Sequence, residues 1–319
     1  MQNNRLNKAL VPAIIMSMFG SSMVSAQAFP TRPVRIITSA AGGGNDFISR
    51  IIAQGISGPL GQQVVVENYP SIIATENALR SKPDGYTTLV TSSNFWITPL
   101  IQKTPYEPLK DFATITMIDK APTILAVHPS LPAKSVKDLV AIARSRPGEL
   151  NYSSGGVGVS AHLAAELFKS MTGTNIVGIR YNGGGPQINA LLAGEVQMTF
   201  TTVTSSAAHL KSGRLRALAV SSAAPFVLLP DLPTVAATLP GFEILSVDGM
   251  LVPAGTPAAI INRLNQEVVR FLNQIDVKER FLKTGVEIVA DTPEQFAAAI
   301  KADISLMSKV VKDANIRVD

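Results

Sequence analysis

No cysteine occurs among the 319 residues. That excludes disulfides, thiolate metal sites, a cysteine nucleophile and a lipidated N-terminal cysteine. Histidine is nearly as scarce: His128, His162 and His209 are the only three, and they are isolated. No His-Glu-x-x-His zinc pattern and no Gly-x-Ser-x-Gly nucleophile elbow is present. Ser160 and His162 stand two apart at a helix start and point in different directions. A hydrolase therefore has no nucleophile and base to work with, and neither a catalytic nor a metal site is expected. Charged residues make up only 16% of the chain, with a formal net charge of +5. The basic residues are scattered, so the basic runs of a nucleic-acid binder are missing. A membrane span is missing too. The one long apolar run, Ala9 to Met23, is short and broken by Pro12 and Gly20.

That run has another use. Arg5 and Lys8 precede it, and Val24-Ser25-Ala26 follows it with the small residues of a signal-peptidase site. Residues 1–26 are thus expected to be a cleaved export signal, with a periplasmic product. Loss of Arg5 and Lys8 leaves a net charge of +3, a modest bias toward anionic ligands. Without disulfides the exported fold rests on its core alone, which the length permits, and the length suggests two domains.

What the chain does have is an alternation of strand and helix signals, which predicts parallel sheets in an α/β architecture. Strands are expected at Val34–Thr38, Val64–Glu67, Thr87–Thr91, Thr123–Val127, Met198–Thr202, Leu215–Val220 and Ile244–Val247. Ser135 and Asp138 resemble a capping box, and Arg146-Pro147-Gly148 stops the helix behind it. Late in the chain, Ile261, Leu264, Val268 and Phe271 mark one helix. Thr292-Pro293-Glu294-Gln295 opens another. Asp84, in Pro83-Asp84-Gly85-Tyr86, reads as a turn former.

Three small-residue turns lead from strands into helices. Thr38-Ser39-Ala40-Ala41-Gly42-Gly43-Gly44-Asn45-Asp46 is the first, Ser154-Gly155-Gly156-Val157-Gly158-Val159-Ser160 the second, and Tyr181-Asn182-Gly183-Gly184-Gly185-Pro186 the third. Glycine leaves backbone N–H groups uncovered at the positive end of a helix dipole, where an anion is attracted. A tight bend would need the same residues, so one turn leaves both readings open; three of one design favour a cradled ligand. Thr91-Ser92-Ser93-Asn94-Phe95-Trp96 reads as a polar and aromatic tip at a strand end, with Trp96 on a candidate pocket loop.

The ordered motifs carry a family resemblance. They are Ala41-Gly42-Gly43, Glu67-Asn68, Pro83-Asp84-Gly85-Tyr86-Thr87, Pro105-Tyr106 with Lys110-Asp111-Phe112, and Leu150-Asn151-Tyr152. Further on come His162-Leu163-Ala164, Tyr181 with Gly183-Gly184-Gly185-Pro186, Leu215-Arg216-Ala217-Leu218-Ala219-Val220 and Pro253-Ala254-Gly255-Thr256-Pro257. From Phe29 to the C-terminus the chain resembles the Bug receptors, the extracytoplasmic solute-binding proteins of tripartite tricarboxylate transporters.

The resemblance implies a type II periplasmic-binding-protein fold: two α/β lobes joined by two crossover strands, with a small ligand in the cleft. It places crossovers near Thr123–Val127 and Ser246–Val252, lobe 1 at 27–122 plus 249–319, and lobe 2 at 123–248. It implies a small organic carboxylate as ligand, the membrane subunits of a tripartite tricarboxylate transporter as partner, no cofactor, no nucleic acid, and a monomer. A ligand-sensing receptor would use the same closed surface. Carried over by position, lobe 1 contributes Ser39, Ala40, Gly42, Gly43, Gly44, Asn45, Asp46, Ser92 and Ser93. Lobe 2 contributes Ser154, Gly158, Val159, Ser160, Tyr181, Gly183 and Gly184. Asp46 could equally serve the helix dipole, and His162 reads as a packed or capping residue. The chain departs from the family at Thr38-Ser39-Ala40, Tyr69 to Ala74, Arg180, Thr201 and Val247-Asp248, on or near the expected pocket.

Overall fold

The computed structural model describes residues 29–181, 184–313 and 316. The expected signal segment 1–26 and Gly183 lie outside the described residues. In chain order the strands are β1 (Val34–Thr38), β2 (Val64–Asn68), β3 (Thr87–Ser92), β4 (Phe112–Val127), β5 (Asn151–Ser154), β6 (Val177–Arg180), β7 (Met198–Thr202), β8 (Arg216–Val220), β9 (Leu245–Pro253) and β10 (Glu287–Ile288). The helices are α1 (Gly44–Leu60), α2 (Ser71–Leu79), α3 (Asn94–Ile101), α4 (Pro108–Asp111), α5 (Val136–Ser145), α6 (Ser160–Thr172), α7 (Gly184–Leu192), α8 (Val203–Lys211), α9 (Ala258–Leu272), α10 (Ile275–Leu282) and α11 (Pro293–Asp313).

β1 lies between β2 and β3, parallel to both, and a strand so placed needs apolar residues on both faces. Ile36 on one face packs in a cluster with Val90 and with Ile48, Ile51, Ile52 and Ile56 of α1. Ile37 on the other joins Leu89 and Ala74 and Ala78 of α2. The second parallel group, β6-β5-β7, is built the same way. Leu163 and Phe168 of α6 share a cluster with Tyr152 and Phe200, and Ile188 and Leu191 of α7 pack with Ile124 and Val196.

The two groups are joined by strands that break the expected parallel order. β9 runs antiparallel to β3 and β4, and β4 runs antiparallel to β7 and β8. The strand expected at Thr123–Val127 is only the end of the 16-residue β4, and the one expected at Ile244–Val247 is the start of β9. Residues 112–122 of β4 pair with β9, and residues 123–127 pair with β7 and β8, so one strand serves both sheets. The polar residues of its first half hide it from a hydrophobicity pattern. Thr114 and Thr116 are buried because their hydroxyls donate to the carbonyls of Pro293 (2.7 Å) and Asp291 (2.9 Å).

α11 packs against β4, α3 and α6, and so touches elements of both groups. Its approach to β9 requires glycine: a Cβ on Gly249 would stand 2.1 Å from Cζ of the fully buried Phe296. No helix among the described residues is long and apolar enough to cross a membrane.

Candidate functional site

The C-terminal ends of the parallel strands in both groups carry the glycine-rich turns, which is where an open α/β sheet places its binding groups. In the first turn Gly42 has φ +83°, a left-handed conformation that disfavours side chains. α1 begins at Gly44 with no side-chain cap on Gly43. The first-turn N–H groups of a helix have no intrahelical partner, and here Gly43 and Gly44 are exposed. Ala40 is exposed and Ser39 half-buried beside them.

Asp46 is turned inward. It is 6% exposed. Its Oδ2 accepts from the Gly42 amide at 2.9 Å, and its Oδ1 accepts from Asn68 Nδ2 and pairs with Arg50 Nε, both at 2.9 Å. Asn68 Nδ2 also donates to the Ser39 carbonyl at 2.8 Å. The Gly42 amide foremost, with Arg50 and Asn68, holds the Asp46 carboxyl below its ordinary value. This side chain shapes the turn from beneath and complements the dipole of α1.

Asn45 and Ser92 face the other way, into a cavity of about 510 Å³ that lies between the two strand groups. Gly42, Gly43 and Gly44 form one wall, Thr202, Val203 and Thr204 the opposite one, and Ser246 and Asp248 of β9 contribute to the floor. With the Asn45 amide oriented to suit its neighbours, its oxygen accepts from the Ser92 amide (3.2 Å) and its nitrogen donates to Asp248 Oδ1 (3.1 Å).

Successive residues of a strand point to opposite faces, and this separates residues that the sequence places together. Ser93 and Val247 line a second cavity, of about 400 Å³, on the α11 side of β9. Ser160 lies there too, with Trp96, Leu163, Phe296 and Asp303. The loop expected at Trp96 is instead helix α3, and Trp96 is 1% exposed. Its indole N–H donates to Asp303 Oδ2 at 2.6 Å and its ring meets Phe296 edge-on. Burial raises the Asp303 carboxyl above its ordinary value, against that hydrogen bond.

In the second group Ser154 is buried at the end of β5 and its hydroxyl has no partner. Gly158, at φ +77°, donates its amide to His162 Nδ1 at 3.3 Å. His162 is thus a buried capping residue, and burial lowers its pKa. Val159 is the N-cap of α6 and Ser160 its first residue. Tyr181 donates its backbone N–H to the Ser154 carbonyl at 2.8 Å and its hydroxyl to Glu195 Oε2 at 3.3 Å. Gly184 is exposed at the start of α7. Asp84 accepts from the Tyr86 amide at 3.1 Å, as a turn former does.

One feature of the floor has no sequence signature. Asp119 on β4 is directly opposite Asp248 on β9, next to a register shift between Met117 and Asp119. Asp119 is 1% exposed, and its Oδ2 has no donor. Burial, then the neighbouring Asp248, raises the Asp119 carboxyl well above its ordinary value; burial raises Asp248 to about 6. Two carboxyls so placed bond to each other only through a shared proton. Asp119 and Asp248 lie 129 positions apart in sequence, and only strand pairing reveals them. Among the described residues no group of three or more His, Asp or Glu side chains is placed to hold a metal ion.

The family model described as "Tripartite tricarboxylate transporter family receptor" matches residues 48–316. Protein BugT of Bordetella pertussis is 33% identical over 303 residues, which span 92% of this chain and 93% of BugT. The structure of R. palustris Rpa4515 with adipate superposes with a TM-score of 0.80 at 34% identity, covering 91% of this chain and 99% of that one. MatC (Rpa3494) from Rhodopseudomonas palustris with bound malate gives 0.75 at 27% identity, covering 89% and 100%.

Proposed function

We propose that this chain, which belongs to the tripartite tricarboxylate transporter receptor family, captures a small organic carboxylate between two lobes and delivers it to a membrane transporter of that type. It is a solute-binding protein of a receptor family. The observation that carries the ligand class is the first turn: an uncapped helix N-terminus, with Gly42, Gly43, Gly44 and Asn45 opening into the cavity between the strand groups. The Gly42 and Gly43 amides are taken by Asp46 and the Ala40 carbonyl; the first-turn N–H groups of Gly44 and Asn45, at the positive dipole end, suit a carboxylate and need no arginine. Adipate and malate in two solved relatives support the same class.

In this reading lobe 1 comprises 27–122 with 249–319, lobe 2 comprises 123–248, and 1–26 directs export to the periplasm. Ser39, Ala40 and Ser92 join the first-turn residues on the lobe 1 side. Gly158, Val159, Ser160, Tyr181, Gly183 and Gly184 close from lobe 2, with Ser154 behind them. Asp46 holds the turn.

Titration calorimetry of the mature protein with a panel of mono- and dicarboxylates tests this. Binding of at least one acid, with a matching rise in melting temperature, is expected. Binding of an uncharged sugar alongside no response to any acid defeats it.

A further inference from the structure

The cavity between the strand groups has an uneven charge. Among the described residues that line it, Asp248 is the single ionisable one, and no lysine or arginine faces it. The remaining polar lining is backbone amide, the Asn45 amide and hydroxyls such as those of Ser92, Thr202 and Thr204. A carboxylate held at the glycine turn is well served. A second carboxylate extending along this cavity meets an acid and no cation, which is repulsive in a poorly solvated cleft.

Asp248 is meanwhile held in place as an acceptor. Asn45 Nδ2 donates to its Oδ1 at 3.1 Å. Behind it Asp119, 1% exposed, stands directly opposite across the paired strands, and its Oδ2 is buried without a hydrogen-bond partner. With the shared proton on Asp119, Asp248 retains its negative charge. A carboxylate has about four acceptor positions. Asn45, Ser92 and Asp119 engage Asp248, which leaves about one for a donor in the cavity that Asp248 lines, where it is partly exposed.

We propose that Asp248, positioned by Asn45 and Asp119, is a specificity-determining residue that selects carboxylates carrying a hydroxyl or ammonium donor at their far end over plain dicarboxylates. The inference rests on the carboxylate reading above and narrows it. The donor sits against Asp248 while the carboxylate sits at the turn formed by Gly42 to Asn45. A hydrogen-bonded site rejects an analogue that leaves its buried polar group unpaired more strongly than an apolar pocket rejects a change of size.

Calorimetry on the mature protein uses length-matched probes in two sizes. Butyrate, 4-hydroxybutyrate, 4-aminobutyrate and succinate form one set; hexanoate, 6-hydroxyhexanoate, 6-aminohexanoate and adipate form the other. In at least one set the wild-type protein is expected to bind the hydroxy or amino acid tenfold or more tightly than the matched diacid, a ranking that needs no variant. Asp248→Asn, with its fold checked by circular dichroism, should weaken the amino acid at least tenfold and leave the diacid unchanged or tighter. Diacids binding best to wild type, or an unchanged ranking in a folded Asp248→Asn protein, overturns the selectivity and leaves carboxylate capture standing. No binding by any probe in either set, with an uncharged sugar bound instead, overturns both.

Discussion

Asp119 and Asp248 oppose each other across the antiparallel strands β4 and β9. Burial raises both carboxyls above 3.8, Asp248 to about 6. The folded protein therefore binds more protons than the unfolded chain above the ordinary carboxyl value. The pair's contribution is most favourable below about pH 4 and declines as pH rises through the folded values.

Asp119→Asn replaces the shared proton with a permanent amide donor. Relative to wild type, the variant should gain stability at pH 7 and gain little at pH 4. Urea denaturation at the two pH values measures the difference, and a larger gain at pH 4 would contradict the proton-sharing arrangement.

Asp46 has the opposite sign. Its carboxyl is held below 3.8 by the Gly42 amide and by Arg50 and Asn68. Its contribution is complete above the unfolded value and is lost as pH falls through the lower folded one. Asp46→Ala should cost about 1–3 kcal/mol at pH 7, the usual range for removing a hydrogen-bonded partner of a buried group. The gap to wild type should narrow below pH 4, and ligand affinity should fall because the turn loses its support.

Gly249→Ala adds a Cβ where Phe296 already stands, 2.1 Å away. Overpacking of this kind costs about 1–3 kcal/mol. The strain would fall on the contact between α11 and β9, so a lowered urea midpoint with an unchanged slope is the expected record.

Ser160 heads α6 and lines the cavity on the α11 side of β9. Ser160→Phe should abolish carboxylate binding while leaving the melting temperature of the free protein within a few degrees of wild type. Persistent binding would remove Ser160 from the proposed lobe 2 contacts.

Trp96 is the single tryptophan, and it is packed against Phe296 with its N–H on Asp303. Emission should be blue-shifted in the folded protein and should move red on denaturation. Trp96 lines the cavity that also holds Ser160 and not the one walled by Gly42 to Gly44, so a carboxylate confined to the glycine turn should shift its emission less than one that reaches Ser160.

The local grammar of the chain was readable residue by residue. Val34–Thr38 is a strand because its apolar run is covered on both faces. Ser135 caps α5 by accepting from the Asp138 amide at 3.1 Å, and Thr292 and Gln295 cap the start of α11 reciprocally. The glycine turns precede helices at Gly44, Ser160 and Gly184, as their spacing predicts. Ordered motifs along the mature chain were enough to identify the family, since each is a local pattern that survives without knowledge of its neighbours.

Only the tertiary structure decided the rest. The full length of β4 was hidden because Thr114 and Thr116 are polar by composition and buried through bonds to carbonyls about 175 positions away. Trp96 was expected on a pocket loop; it does line a cavity, but from a short helix, buried with its N–H on an acid from α11. Asp248 stood out in the sequence as a departure near the pocket and Asp119 did not stand out at all; their relationship exists through antiparallel register alone. Periodicity and capping are set by neighbours a few residues apart, so sequence by itself determined the elements, the turns and the family. Which side of β9 a residue faces, and which charge stands opposite it, depends on long-range pairing, and there the structure alone supplied the answer.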